Sequence, residues 1–227
     1  MTQPILIFDM DGVLVDVTES YRETIAATVE HFTGARPTND QIQQFKNQGG
    51  FNDDWQLSHY IVTGVGIDIP FDEMKAHFQQ LFLGTNGTEG LISREKWIAR
   101  PGVLEKLAEQ FRLAVFTGRP REEADITLKR FAPDLTFDPI VAMEDVANRK
   151  PAPDGLLRIA QSNPSARLIY VGDSIDDARS ARAAKVPFIG IAAPSNPTYL
   201  DLVFLFQGEN SYAIVDDINY LDEVFAQ

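Results

Sequence analysis

Residues 4–16 read PILIFDMDGVLVD, a short apolar run that ends abruptly in two aspartates separated by one residue. A run of this length suits a strand that is buried on both faces, as in a parallel sheet. Asp9 and Asp11 follow its carboxyl end, and alternate residues of an extended segment point to one side. We therefore predict that both carboxylates face a common site beyond the first strand.

Short apolar runs recur in the second half of the chain. After Pro4–Phe8 come Leu113–Phe116, Pro139–Ala142, Leu168–Val171 and Val186–Ile191. Segments with helical spacing of apolar residues separate these runs. Alternating strands and helices predict an α/β fold whose core is a doubly wound, Rossmann-like parallel sheet.

Residues 16–100 interrupt this alternation. Apolar residues recur at close to helical period from Tyr21 to Phe32 and from Phe71 to Phe82, with no strong strand pattern. The segment is too long for a loop of a compact domain. We predict an inserted helical cap over residues 16–100 and a core made of residues 1–15 and 101–227.

The composition limits the classes of protein that remain. The 227 residues are 44% hydrophobic and include no cysteine, which excludes disulfides, zinc–thiolate sites and cysteine nucleophiles. The N-terminus has no basic region before its apolar run, and no later stretch approaches about 18 uncharged apolar residues. We expect a soluble, cytoplasmic protein.

The net charge of -13 bears on possible partners. Such a surface repels nucleic acid and anionic lipid, so we expect neither as a partner. It would also repel a phosphorylated substrate, and a phosphate site would need local cations. The sequence carries no signal for an oligomeric state.

Polar residues follow the first four predicted strands, at the edge where ligands of open α/β sheets bind. They are Asp9 and Asp11, then Thr117 to Arg119, then Lys150, and finally Asp173, Asp176 and Asp177. Two carboxylates about 4 Å apart repel by about 4 kcal/mol at an effective dielectric constant near 20. A hard cation such as Mg²⁺, which takes oxygen ligands, would relieve that repulsion.

These residue types suit phosphoryl transfer. Asp9 can attack phosphorus while Asp11 protonates the leaving oxygen and then deprotonates water. Gly12 permits a sharp turn that brings amide groups near a phosphate. Thr117 can donate a hydrogen bond to the transferred group, and Lys150 can supply a countercharge.

Four segments carry a resemblance to a known family: DMDGVLVD (Asp9–Asp16), FTGR (Phe116–Arg119), KPAPDG (Lys150–Gly155) and VGDSIDD (Val171–Asp177). In order and spacing they closely resemble the four motifs of the haloacid dehalogenase-like (HAD) superfamily. The helical insertion after the first motif resembles the cap of subfamily IA, which includes phosphoglycolate phosphatases and β-phosphoglucomutases.

The resemblance implies roles for individual residues. It implies that Asp9 is the nucleophile and a metal ligand, and that Asp11 is the general acid and base and a ligand through its backbone carbonyl. It implies that Asp173 and Asp177 also bind Mg²⁺, with the adjacent Asp176 as an alternative to Asp177. The implied phosphate-binding residues are Met10, Gly12, Thr117, Gly118 and Lys150.

The predicted cap contains the glycine-rich stretch GGFNDD, residues 49–54. It is either a simple interhelical loop or, as in related caps, a substrate-specificity loop. In the second case Lys46, Asn47 and Asn52 would contact the substrate. Arg22, close behind the first motif, is a further candidate for contact with the substrate. The three histidines, His31, His59 and His77, show no metal-ligand spacing, and we expect packing or surface roles for them.

The predicted function is hydrolysis of a small phosphomonoester through an aspartyl-phosphate. A phosphomutase with the same nucleophile is the alternative, and a non-catalytic protein that keeps the fold is a third. The segments KNQGGFNDDW (Lys46–Trp55), LAVFTGRPREEA (Leu113–Ala124) and VAMEDV (Val141–Val146) also resemble a subfamily IA clade linked to histidinol-phosphate metabolism.

Overall fold

A computed structural model describes residues 2–85, 87–196 and 198–225 of the chain, which divides into two compact units. One unit comprises the chain up to Val15 together with the residues from Trp97 onward. The other unit is Asp16–Lys96. Within the described ranges, no helix has the length and apolar character needed to cross a membrane.

The first unit is built on a parallel sheet. Its described strands are β1 (Ile5–Phe8), β2 (Arg112–Phe116), β3 (Phe137–Val141), β4 (Leu168–Gly172), β5 (Phe188–Ile191) and β6 (Ala213–Val215). They lie in the order β3-β2-β1-β4-β5-β6, and each neighbouring pair is parallel. The predicted doubly wound α/β sheet is therefore confirmed.

Burial explains why the central strands read as unbroken apolar runs. Every residue of β1 and of β4 is buried. Parallel strands covered on both faces leave no place for an alternating polar residue. One face carries an aromatic cluster in which Phe116, Tyr170, Phe188 and Phe206 follow one another in contact. This packing joins β2, β4 and β5 on one face of the sheet.

Helices connect the strands of this unit. They are numbered after the four helices of the other unit: α5 (Val103–Gln110), α6 (Arg121–Phe131), α7 (Asp154–Ser162), α8 (Ile175–Ala184), α9 (Tyr199–Gly208) and α10 (Leu221–Phe225). Ser174 caps α8, because its hydroxyl accepts a hydrogen bond from the amide of Asp177.

The second unit is helical. Its helices are α1 (Tyr21–Thr33), α2 (Asn39–Gln48), α3 (Asp54–Gly64) and α4 (Phe71–Leu83). Tyr21 stacks on Phe82 with ring centroids 4.0 Å apart, which joins α1 to α4. Thr38 and Gln41 form a capping box that begins α2, and the side chain of Asp53 caps α3.

The remaining short elements lie between these helices and strands. Two-residue strands span Val15–Asp16, Gly84–Thr85, Thr88–Glu89 and Lys96–Trp97. At Trp97 the chain already belongs to the sheet unit, because the ring of Trp97 stacks on Phe131 and the amide of Ile98 donates to the carbonyl of Leu14.

The sequence analysis did not predict the edge strand β6. The three residues of β6 are only partly buried, and a pattern that short carries no period. The apolar run Leu202–Phe206 lies in α9, where Leu202 and Phe206 are buried and Phe204 is exposed. The strand β6 forms because it pairs in parallel with β5, whose residues lie more than 20 positions earlier in the chain, so the local sequence around β6 does not predict it.

Candidate active site

The strand order reverses its direction at β1, since β2 and β3 lie on one side of it and β4 lies on the other. In open α/β sheets, ligands bind beyond the carboxyl ends of the strands at such a switch point. Asp9 directly follows β1, and Asp173 directly follows β4. The amide of Asp9 donates to the carbonyl of Val171 over 2.9 Å. The topology thus places these two acids on adjacent strand ends.

Three acids form a compact carboxylate cluster at this edge. Asp9, Asp173 and Asp177 each place an oxygen within 4.8 Å of the others. The ammonium group of Lys150 lies beside Asp9 and Asp177, so the three acids and this lysine together carry a formal charge of -2. Burying such an excess of charge is costly unless a cation offsets it. The donors are all hard oxygens, and the residues present fit a divalent ion such as Mg²⁺.

Lys150 joins two members of the cluster. Its Nζ lies 2.9 Å from Oδ1 of Asp9 and 2.8 Å from Oδ1 of Asp177, and its side chain is 1% exposed. Burial alone would lower the pKa of Lys150, but the carboxylates of Asp177 and Asp9 raise that pKa above its ordinary value. Lys150 therefore stays protonated and supplies the local positive charge that a phosphate would need.

The surroundings of Asp9 make its carboxylate hard to ionise. Burial raises the pKa of Asp9 to about 7; Lys150 opposes this rise, while Asp177 and Asp11 add to it. A nucleophilic carboxylate must be ionised, and an adjacent cation favours the ionised form. The electrostatics of Asp9 thus agree with a site built to receive a divalent cation.

Asp177 is the most firmly held acid of the cluster. Its Oδ1 accepts from the hydroxyl of Tyr170 at 2.6 Å and contacts Lys150, while its Oδ2 accepts from the amide and the hydroxyl of Ser174. These four contacts use the lone-pair directions of a carboxylate. Asp176 instead lies 3.9 Å from Arg179 on α8, which favours Asp177 as the second acid of the fourth motif.

The loop after β2 presents Thr117. The residue is buried, its amide donates to the carbonyl of Val141, and its Oγ1 accepts from the amide of Arg119 at 3.2 Å. Because the hydroxyl accepts that bond, its own hydrogen can be donated elsewhere. Gly118, between the two, is half-buried.

Met10 and Gly12 shape the turn after β1. Met10 is fully buried, and its carbonyl accepts from the amides of Leu14 and Val15. The amide of Gly12 donates to the carbonyl of Val15 over 2.8 Å. This amide is therefore engaged within the turn, and we propose that Gly12 contributes through its backbone conformation.

Gly12→Ala should lower kcat/KM by about 100-fold, because the new methyl group would displace a member of the cluster. Gly12 has φ +73, and a Cβ there would lie 1.9 Å from Oδ2 of Asp173. Gly102→Ala is the matched control, since Gly102 has φ +89 but a Cβ there meets nothing within 4 Å. Steady-state kinetics at saturating Mg²⁺ compare the two. Equal losses would show that backbone strain alone is responsible.

The polar residues singled out in the helical unit do not all lie in one network. Arg22 donates through Nη2 to Oε1 of Gln43, whose Nε2 donates to Oδ1 of Asn47 over 2.8 Å. Lys46 pairs with Asp54 at 2.7 Å. The structure thus joins Arg22 to Asn47 within one network. Asn52 is half-buried in the segment between α2 and α3. A specificity role for these residues stays a prediction.

The three histidines make contacts within the helical unit. His31 and His77 stack with ring centroids 4.0 Å apart, and Nε2 of His59 lies 3.0 Å from the carbonyl of Ile69. Burial lowers the pKa of His77, and the nearby His31 lowers it further. Among the described residues, the only acid or histidine group of metal-binding geometry is the carboxylate cluster.

Three side chains near the site had no predicted role. Tyr170 and Ser174 hold Asp177, and Arg119 holds Asp11. Two of them carried a signal in the sequence. Ser174 begins a Ser-x-x-Asp pattern typical of a helix start, and Tyr170 is an aromatic residue that brings a hydroxyl group into a buried apolar strand. Arg119 gave no signal beyond its place in the second motif.

Comparison with known proteins agrees with this geometry. The family model described as haloacid dehalogenase-like hydrolase matches residues 6–191. The chain is similar to an imidazoleglycerol-phosphate dehydratase of Phytophthora nicotianae, with 32% identity over 86% of this chain and 45% of that protein. It is also similar to the phosphoglycolate phosphatase of Escherichia coli strain K12, with 28% identity over 66% of this chain and 60% of that protein.

A solved structure extends the similarity to the fold. A protein from Bacteroides fragilis, described as a haloacid dehalogenase-like hydrolase, matches 97% of this chain and 100% of its own with a TM-score of 0.77 and 21% identity. The chain spans about half of the length of the two curated relatives above. Since the family model covers most of its residues, the chain belongs to the haloacid dehalogenase-like hydrolases.

Proposed function

We propose that this enzyme is a Mg²⁺-dependent phosphatase that hydrolyses a small phosphomonoester through an aspartyl-phosphate on Asp9. The observation that carries the proposal is the carboxylate cluster of Asp9, Asp173 and Asp177 with Lys150 among them, at the switch point of the sheet. The phosphatase named among the relatives supports the same reaction class.

Mg²⁺ would be held by Asp9, Asp173 and the backbone carbonyl of Asp11. Its positive charge, when bound, would offset the clustered carboxylates and let a dianionic phosphate approach Asp9. The lone-pair directions of Asp177 already serve Tyr170, Ser174 and Lys150. We therefore propose that Asp177 does not bind Mg²⁺ directly and acts by anchoring Lys150.

The chain's own residues would carry out two successive displacements. In the first, an oxygen of Asp9 bonds to phosphorus, the bond from phosphorus to the substrate oxygen breaks, and the proton of Asp11 goes to that oxygen. In the second, water attacks phosphorus, Asp11 takes its proton, and the electron pair of the broken bond returns to Asp9. Lys150 and Thr117 would bind the transferred group throughout.

The helical unit, Asp16–Lys96, is proposed to act as the cap that confers substrate selection. The network of Arg22, Gln43 and Asn47 presents polar groups on that unit. The name of the Phytophthora relative adds phosphomonoesters that carry an imidazole ring to the substrates worth testing.

A phosphate-release screen tests the proposal. We expect release from at least one of a panel of sugar phosphates, phosphoglycolate, histidinol phosphate and nucleotides. Chelation should reduce the rate to background, and added Mg²⁺ should restore it, because the cluster repels phosphate without a cation. Full turnover after thorough chelation would contradict the proposal. Formation of an isomeric sugar phosphate without phosphate release would identify a mutase instead.

A further inference from the structure

Arg119 lies at the centre of an unassigned set of contacts beside the site. Its side chain is 1% exposed, whereas that of its partner Asp11 is 30% exposed. Nε of Arg119 donates to Oδ1 of Asp11 over 2.7 Å, and Nη2 donates to the same oxygen. Nη1 donates to Oγ1 of Thr127 over 2.8 Å. The guanidinium group therefore ties Asp11 to α6, although 108 residues separate the two partners in the chain.

The choice of oxygen has a chemical consequence. An arginine side chain has five N–H donors and no acceptor, so it can meet Oδ1 only as a lone-pair acceptor. When Asp11 is protonated, its proton must then be on Oδ2. Two N–H groups that converge on Oδ1 hold that oxygen in place, and the contact does not use Oδ2.

The hydrogen bond to Thr127 places the other side of the guanidinium group against buried residues of α6. Thr127 is fully buried, and Glu123, four residues before it on the same face of the helix, is buried as well. Burying a guanidinium group is costly unless its donors are used. The fold thus maintains a buried charge that donates two hydrogen bonds to Asp11 and one to Thr127.

We propose that Arg119 is a positioning residue that makes Oδ2 of Asp11 the atom that carries the proton to and from the reacting groups. The inference rests on the phosphatase function proposed above. In the first displacement, Oδ2 gives its proton to the leaving oxygen while the phosphorus–oxygen bond breaks toward that oxygen. In the second displacement, the same Oδ2 takes the proton of the attacking water.

The dependence on the leaving group tests this role. The value of kcat/KM reports the reaction up to phosphorylation of Asp9, and an alkyl leaving group needs a proton there whereas 2,4-dinitrophenolate does not. For Arg119→Lys, which keeps the charge but loses the planar fork, we expect kcat/KM to fall about 100-fold with glycerol phosphate. With 2,4-dinitrophenyl phosphate it should fall by less than about threefold, while kcat falls and phosphoenzyme accumulates because Asp11 also activates water.

A second variant keeps the test valid if the first does not fold. Thr127→Val removes the hydroxyl that anchors Nη1 and should give a smaller loss with the same preference for the activated ester. Equal losses of kcat/KM with both esters, in the variant that folds, would overturn the positioning role. A wild-type enzyme that hydrolyses neither ester, nor any phosphomonoester of the panel, would instead refute the phosphatase proposal itself.

Discussion

Replacing Asp9 with asparagine is expected to lower phosphate release by at least about 10⁴-fold, since loss of a nucleophile commonly costs that much or more. The amide has nearly the same shape as the carboxylate but cannot form the bond to phosphorus. Asp9 is buried, and burial raises its pKa to about 7. Lys150 lowers this pKa, whereas the nearby Asp177 and Asp11 raise it further. A neutral group should therefore be tolerated there, and the fold should persist.

Phosphate release under saturating Mg²⁺ measures this effect, and thermal unfolding checks the fold. Asp134→Asn is the matched control, because it makes the same chemical change at an exposed residue of the loop after α6. The control should keep the wild-type rate. If Asp9→Asn also kept it, Asp9 could not be the nucleophile.

The second large effect is expected for Lys150→Met, which should lower the free energy of unfolding by about 3–5 kcal/mol in the presence of a chelator. The change leaves Asp9 and Asp177, both buried, without the ammonium group that lies within 3 Å of each. Removing one partner of a buried ion pair strands the other charge in a poorly solvated place. Mg²⁺ should restore part of the loss, because it supplies positive charge to the same carboxylates.

Chemical denaturation with and without Mg²⁺ measures both parts of this prediction. Lys106→Met provides the control, since Lys106 pairs with Asp222 at 3.0 Å but both side chains are largely exposed. Exposed pairs contribute little, so the control should unfold almost like the wild type. If the two substitutions lowered the free energy of unfolding equally, the charge of Lys150 would not stabilise the buried carboxylates.

The fold class and the family could be read from local patterns, and both are confirmed. The strands β1 and β4 are buried on both faces, so their residues form unbroken apolar runs. Such a run can be recognised from the few residues that compose it. The short edge strand β6 could not be found in this way, because partly buried residues in a segment of three carry no such pattern.

The candidate site follows a similar division. Which polar residues follow each strand is visible in the sequence, and so is the clash between clustered carboxylates that calls for a cation. The choice between Asp176 and Asp177 is not visible, because it depends on which direction each side chain takes from α8. The roles of these residues in catalysis stay predictions until the variants are measured.

The sequence by itself determined that this chain has an α/β fold and belongs to the haloacid dehalogenase-like hydrolases, because strand-forming runs and the residues after them are local features. Only the tertiary structure decided that Lys150 bridges Asp9 and Asp177, and that Arg119 donates two hydrogen bonds to one oxygen of Asp11. Those contacts join residues far apart in the chain. These contacts form because of the order of the strands in the sheet and the packing of α6. A short stretch of sequence reveals neither of these two features.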